Sequence, residues 1–215
     1  MKMKKITATI CALAFSLTII VVAQPAQAAV KCTKVTSVGH APLKTNPPRT
    51  SAKVLPKTIT FVTNCGNIVA SLDPKAPLTV TEMAALAKAK YFDKSLCHRL
   101  ITDGFSMLQC GDPTATGSGG PGFSYIDENL PTGAKLTYPA GTLAMANSGP
   151  NTNGSQFFLV FEDSGSLGPN YTVWGHITSG LDILRYVGKA GATINQSTGN
   201  SAPNQKVEIQ RVLVK

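Results

Sequence analysis

Short strand-like segments, each followed by turn residues, recur along most of this sequence and limit it to a β-rich fold. In the first segment Ile59 and Phe61 alternate with threonines, and Cys65, Gly66 and Asn67 turn the chain into the next. Such alternation is typical of strands with one buried face. The segments lie at 57–63, 68–72, 95–101, 105–110, 141–147, 155–161, 171–177 and 207–214.

Two helices are expected beside these strands. Thr-Val-Thr-Glu at 79–82 has the form of a capping box and predicts a helix over about 80–90, while Leu181, Leu184 and Val187 mark a second one. The 19 Gly and 14 Pro agree with many turns, and 14% charged residues exclude a highly charged disordered chain. We predict a mainly β fold, a closed eight-stranded antiparallel β-barrel capped by two α-helices, because closure removes exposed strand edges. A β-sandwich has the same periodicity and stays open as the alternative.

Residues 1–28 have the form of a secretory signal peptide. Lys2, Lys4 and Lys5 precede an apolar run over 6–22, and Ala-Gln-Ala at 26–28 is a cleavage signal. An uncleaved membrane anchor is the alternative, but the run is short for a membrane span. We therefore expect a secreted or extracytoplasmic protein, in a cell wall or periplasm-like space, that meets the membrane only through this transient segment.

The rest of the chain divides into two predicted parts. Residues 29–56 are expected to form an extended tail or linker, because they hold four Pro, several Lys and no sustained apolar period. Residues 57–215 are expected to form the folded domain. Four cysteines lie outside the signal segment, and an even number in an exported chain favours disulfides, with three possible pairings. A metal site is not expected, since no pair of cysteines has the C-x2-C spacing of zinc ligands.

The sequence does not support two other classes of enzyme. Gly-Ser-Gly-Gly-Pro-Gly at 117–122 matches the dinucleotide fingerprint, but Pro121 lies within it, no strand precedes it and no helix follows it. No G-x-S-x-G nucleophile elbow is present, which disfavours a serine hydrolase. We expect no cofactor and no nucleic-acid partner.

Three segments carry a more specific pattern. They are CHRLI at 97–101, MLQCGD at 107–112 and MANSGPNTNGSQFF at 145–158. Together they resemble the cyclophilin-type peptidyl-prolyl cis-trans isomerases, over about residues 57–214. The resemblance implies the cyclophilin-like barrel with two capping helices and a proline-binding groove on its outer face.

The resemblance also implies the residues of that groove. Arg99, Gln109 and Asn147 would take the catalytic positions. The positions that bind substrate would be Phe105, Met107, Ala146, Gln156, Phe158, Leu167 and Tyr171. The hairpin before Gln109 is longer than in the commonest family pattern, so either Phe105 fills the aromatic position before Met107 or Ser106 has replaced it.

The implied activity is acceleration of X-Pro bond rotation in proline-containing peptides and unfolded exported proteins, as a monomer that assists folding. It needs neither a nucleophile nor a metal, because no bond is made or cleaved; Arg99 would hydrogen-bond the prolyl nitrogen as the amide twists. Two alternatives stay open. The chain could bind proline segments as a chaperone with little turnover, or attach to anionic wall polymers through its basic tail.

Two positions depart from the commonest family pattern. Ser166 stands where many members have Trp, and Tyr171 stands where many have His. Since cyclosporin uses that Trp in sensitive members, we expect weak cyclosporin binding.

The predicted hairpin suggests how the cysteines pair. Cys97 and Cys110 flank its two strands, within reach of one disulfide. We hypothesise Cys97–Cys110, which leaves Cys32–Cys65 to pin the tail to the first hairpin.

Overall fold

The computed structural model describes residues 29–48, 50–132, 137–163, 167–194 and 201–215. The strands are β1 (Thr58–Thr63), β2 (Gly66–Leu72), β3 (Ser95–Leu96), β4 (Arg99–Ile101), β5 (Met107–Cys110), β6 (Thr142–Met145), β7 (Phe157–Val160), β8 (Val173–Ser179), β9 (Ala192–Ile194), β10 (Ser201–Pro203) and β11 (Glu208–Val214). Nine of them form one antiparallel sheet in the order β3-β11-β1-β2-β8-β6-β7-β5-β4. Strands β9 and β10 form a separate ribbon, which the sequence pattern did not predict.

The mainly β, cyclophilin-like fold is confirmed, but the closed eight-stranded barrel is not. The segment predicted as one strand over 95–101 changes partners half-way: β3 pairs with β11, and β4 pairs with β5. At the change, the Cys97 amide donates to the Val207 carbonyl (2.9 Å), and the next amide, of His98, donates to the Gln109 carbonyl (3.1 Å). The described strands therefore form a curled open sheet whose edge strands, β3 and β4, follow one another in the chain.

The two predicted helices are α1 (Pro77–Lys88) and α2 (Leu181–Ala190). The capping box predicted at the start of α1 is wrong, because the helix begins at Pro77 and no side chain of the cap residue Ala76 bonds to it. Instead the carboxylate of Glu128, distant in sequence, accepts hydrogen bonds from the amides of Leu78 (3.1 Å) and Thr79 (2.8 Å). A carboxylate suits this position because the first amides of a helix lack partners and carry partial positive charge.

The apolar residues form two clusters that divide at β7. Phe157 belongs to the larger one, where its ring stacks on Phe61 with centroids 4.8 Å apart and meets Trp174 edge-on. Phe158 belongs to the smaller one. Successive strand residues point to opposite faces, so one strand supplies both clusters. The smaller cluster borders the candidate site.

Residues 29–48 and 50–57 contain neither helix nor strand, and they pack along the domain. Both hypothesised disulfides are present, Cys32–Cys65 and Cys97–Cys110. The first pins the tail to the turn between β1 and β2. The predicted signal peptide at 1–28 lies outside the described residues. Within the part of the chain that the structure describes, neither helix has the length and apolarity needed to cross a membrane.

Candidate active site

The hairpin of β4 and β5 positions Arg99. Its register places Arg99 opposite Gln109 and Ile101 opposite Met107. Directly opposed residues share one face of a sheet, so the half-buried guanidinium meets the Gln109 side chain, with Arg99 Nη1 donating to Gln109 Oε1 at 3.3 Å. A guanidinium has five N–H donors, so this single bond leaves it the capacity to bind a ligand. The Cys97–Cys110 disulfide closes the same hairpin beside this pair.

A chain of hydrogen bonds continues from Arg99 into the glycine-rich loop. Gln109 Nε2 donates to Gln156 Oε1 at 2.8 Å. Gln156 Nε2 in turn donates to the carbonyls of Gly117 and Gly119, both at 2.9 Å. Each amide group therefore has a fixed direction, with its oxygen toward the arginine and its nitrogen toward the loop.

The loop itself is wound around the buried carboxylate of Asp112. That carboxylate accepts bonds from the amides of Thr114 (2.8 Å), Gly117 (2.7 Å) and Gly119 (3.0 Å), and from the Thr114 hydroxyl (2.7 Å). Burial alone would raise the pKa of Asp112, but these hydrogen bonds outweigh it and hold the pKa below its usual value. Asp112 thus stays ionised and keeps the loop in one shape.

A groove with a volume of about 690 Å³ lies between this loop and the end of β6. Residues 117–124 form one wall, and Gln109, Ala146, Asn147 and Gln156 border the other. Asn147 is itself held, because its Nδ2 donates to the Asn170 carbonyl at 2.8 Å.

An apolar cluster around Phe158 adjoins the groove at Ala146, which borders both. Phe105 and Met107 are buried there with Phe158, while Leu167 and Tyr171 pack on the cluster and are half-buried. The rings of Phe105 and Phe158 meet edge-on with centroids 6.0 Å apart. The ring of Phe105 therefore belongs to this cluster.

Tyr138 is a further member of the apolar cluster, and the sequence did not indicate it. It is fully buried, and its ring meets Phe105, Phe158 and Tyr171 edge-on. Its hydroxyl accepts the Tyr171 amide at 3.0 Å and lies 3.2 Å from the Gly168 carbonyl. Burial raises the pKa of Tyr138 to about 12, so the hydroxyl stays protonated. Tyr138 lies in an irregular loop, where no periodicity marks a residue as buried.

The structure places all ten residues of the predicted site in two adjoining regions. The polar region holds Arg99, Gln109, Asn147, Gln156 and Ala146, and the apolar one holds Phe105, Met107, Phe158, Leu167 and Tyr171. Ser166, at the position of the family tryptophan, lies outside the described residues. Among the residues that the structure describes, no group of three or more His, Cys, Asp or Glu side chains is arranged to hold a metal ion.

Comparison with known proteins agrees with this geometry. The family model described as cyclophilin type peptidyl-prolyl cis-trans isomerase/CLD matches residues 58–214. The chain belongs to that family. A relative named probable peptidyl-prolyl cis-trans isomerase B from Mycobacterium leprae is 42% identical over 199 residues, which cover 85% of this chain and 67% of the relative. Its namesake from Mycobacterium tuberculosis is 41% identical, and this chain covers 60% of its length.

Solved cyclophilin structures are similar as well. The cyclophilin type peptidyl-prolyl cis-trans isomerase of Cryptosporidium parvum has a TM-score of 0.63 at 28% identity, covering 74% of this chain and 97% of its own. A second structure of that cyclophilin, in the presence of the dipeptide Ala-Pro, has the same TM-score.

Proposed function

We propose that this cyclophilin accelerates cis-trans rotation of X-Pro bonds, with Arg99 as the catalytic residue. The observation that carries the proposal is the position of Arg99, which donates to Gln109. Gln109 lines the groove and pairs across the sheet with Phe158 of the adjoining apolar cluster. Family membership and the Ala-Pro dipeptide used with the Cryptosporidium cyclophilin support the same substrate class.

The chemistry follows from the electronic structure of the amide. In the planar ground state the prolyl nitrogen shares its lone pair with the carbonyl, and the barrier to rotation is about 18–20 kcal/mol. As the bond twists, the nitrogen becomes pyramidal and its lone pair becomes a hydrogen-bond acceptor. A guanidinium held in place can donate to that lone pair in the twisted state and scarcely at all in the planar state.

The energy required is within reach of this arrangement. An acceleration of about 10⁴-fold corresponds to about 5.4 kcal/mol of transition-state stabilisation. Hydrogen bonds from charged groups contribute about 1.5–3 kcal/mol, and more where water is excluded. We assign the grip on the proline ring to Phe105, Met107 and Phe158, and the hold on the flanking chain to Gln109 and Asn147.

The clients that we propose are exported, unfolded proteins. The signal-like segment at 1–28 and the two disulfides both favour an oxidising compartment outside the cytoplasm. Uncatalysed X-Pro isomerisation takes tens to hundreds of seconds and limits folding there as elsewhere. In the tail, Lys31, Lys34, Lys44 and Lys53 are exposed, and the sequence over 29–56 holds no acidic residue.

The test is a rate measurement on an X-Pro peptide with the wild-type protein, Arg99→Ala and the matched control Arg211→Ala, whose arginine is exposed on β11. We expect acceleration by the wild type and the control, and a loss of about 10²-fold or more in kcat/KM for Arg99→Ala. If the wild type binds the peptide without accelerating rotation, the protein is a binding module and not an isomerase. Full activity of a folded Arg99→Ala would reject the role of the arginine.

A further inference from the structure

The N-terminal tail contacts the start of the loop that forms one wall of the groove. Its root is fixed by the Cys32–Cys65 disulfide and by a reciprocal pair, in which the Thr33 amide donates to the Asn64 carbonyl and Asn64 Nδ2 donates to the Thr33 carbonyl, both at 2.9 Å. Further along, the Ser37 hydroxyl donates to the carboxylate of Glu208. The tail is thus attached to the domain before it reaches the loop.

The closest approach occurs at Gly39 and His40. The His40 amide donates to the Pro113 carbonyl at 2.8 Å. A Cβ added at Gly39 would lie 1.9 Å from the Thr114 carbonyl oxygen, a distance that no side chain tolerates. Two backbones therefore pack directly on one another here, which only glycine permits.

The contacted residues are part of the hydrogen-bonded loop that lines the groove. The Thr114 amide and hydroxyl both bond to Asp112, whose carboxylate also holds the amides of Gly117 and Gly119. The carbonyls of those two glycines are the acceptors for Gln156. A shift of the backbone at 113–114 must therefore move the groove wall or break bonds around Asp112.

The tail meets the far end of the same loop as well. Residues 44–48 and Phe123 line a small cavity of about 210 Å³ beside α1. The loop from 112 to 123 therefore has the tail next to both of its ends, and its residues 117–123 line the groove of about 690 Å³.

We propose that the tail positions this loop and so sets the affinity for the substrate residues that flank the proline. The inference rests on the proposed isomerase function and deepens it. In the proposed function the proline ring binds at the apolar cluster, which the tail does not touch in the contacts described above. A disturbed tail should weaken the binding of long substrates and leave the twisting step itself intact.

The experiment compares Gly39→Ala with the wild type and with Val38→Ala, whose side chain is 74% exposed, on two peptides. One peptide has a single residue on each side of the proline, and the other extends several residues further. For Gly39→Ala we expect KM for the long peptide to rise about threefold to tenfold, the loss expected for one or two hydrogen bonds, with kcat unchanged. The short peptide and the Val38→Ala control should show no change.

A second variant covers the case in which Gly39→Ala does not fold. His40 lies outside any helix or strand. His40→Pro removes the amide that donates to Pro113, together with the imidazole whose Nε2 lies 3.3 Å from the Asp93 carbonyl, and it should produce the same selective rise in KM. An unchanged KM for the long peptide in a folded variant would overturn the inference, as would equal losses for both peptides. If the wild type does not accelerate rotation, the isomerase proposal fails, and the dissociation constants of the same peptides then test the tail by themselves.

Discussion

At the residue scale, the arginine of the candidate site is held by an amide and not by a carboxylate. A carboxylate partner would compensate the guanidinium charge and occupy two of its N–H groups. Gln109 bonds to Arg99 through a neutral oxygen, so this partner does not compensate the positive charge. In the mechanism that we propose, that charge meets the developing lone pair. The buried Asp112 bonds to amides and hydroxyls of its own loop.

Tyr138 gives a prediction at this scale. Tyr138→Phe keeps the ring but removes the hydroxyl that accepts the Tyr171 amide, so the segment carrying Leu167 and Tyr171 should lose part of its order. An unsatisfied buried group costs about 1–3 kcal/mol. We expect KM for X-Pro peptides to rise severalfold with little change in kcat, measured by steady-state kinetics.

The matched control is Tyr186→Phe, since the Tyr186 side chain is 41% exposed on α2. Equal kinetics for the two variants would contradict the role of the Tyr138 hydroxyl, and thermal unfolding of both reports any general loss of stability.

At the element scale, the hairpin of β4 and β5 determines the geometry of the site. The sequence was sufficient to predict this hairpin and its disulfide, because both depend on residues close together in the chain. It was not sufficient to predict that 95–101 changes partners at Cys97, because β11 comes from the far end of the chain. The start of α1 was missed for the same reason, since Glu128 comes from a distant loop.

The disulfide of this hairpin gives a second prediction. Replacing Cys97 and Cys110 with alanine removes a link across 13 residues, which should cost about 3 kcal/mol of unfolding free energy. Because the link lies beside Arg99, kcat should fall as well. Denaturant unfolding and isomerase kinetics measure the two effects.

The matched variant replaces Cys32 and Cys65, whose link spans 33 residues at the root of the tail. Its stability loss should be similar, while kcat is retained and only KM for long peptides rises. A fall in kcat of the same size in both double variants would show that stability alone controls activity.

At the scale of the whole molecule, a buried carboxylate lines the small cavity that the tail also lines, and its ionisation affects stability. Glu82 on α1 is 2% exposed, and its Oε2 has no hydrogen-bond partner in the described part of the chain. Burial raises the pKa of Glu82 from 4.5 to about 7. Tyr125 lies near Glu82; burial raises the pKa of Tyr125, and the charge of Glu82 raises it further. Lys44 of the tail lines the same small cavity as Glu82.

The sign of the pH dependence follows from that shift. A carboxyl whose pKa is higher in the folded state than in the unfolded state contributes to the free energy of unfolding. This contribution is complete below about pH 4.5 and is lost as the pH rises to about 7. We expect the unfolding free energy to fall by up to about 3 kcal/mol over this interval. Glu82→Gln should flatten the profile, as denaturant unfolding across the pH range would reveal.

The control for this prediction is Glu162→Gln, because the Glu162 side chain is 52% exposed and its ion pair with Arg185 lies at the surface. That variant should keep the wild-type profile. A Glu82→Gln profile that falls as steeply as the wild type would contradict the assignment to Glu82.

The sequence by itself predicted most of the strands and the two helices from local alternation and spacing, and the predicted hairpin suggested both disulfide pairs. The residues of the candidate site were proposed from the resemblance of contiguous motifs to the cyclophilins. The tertiary structure decided what depends on distant residues meeting. It placed Tyr138 in the apolar cluster, Glu128 at the start of α1, and Gly39 against Thr114. No local pattern encodes such contacts, because packing between remote segments selects them only when the sheet has curled and brought those segments together.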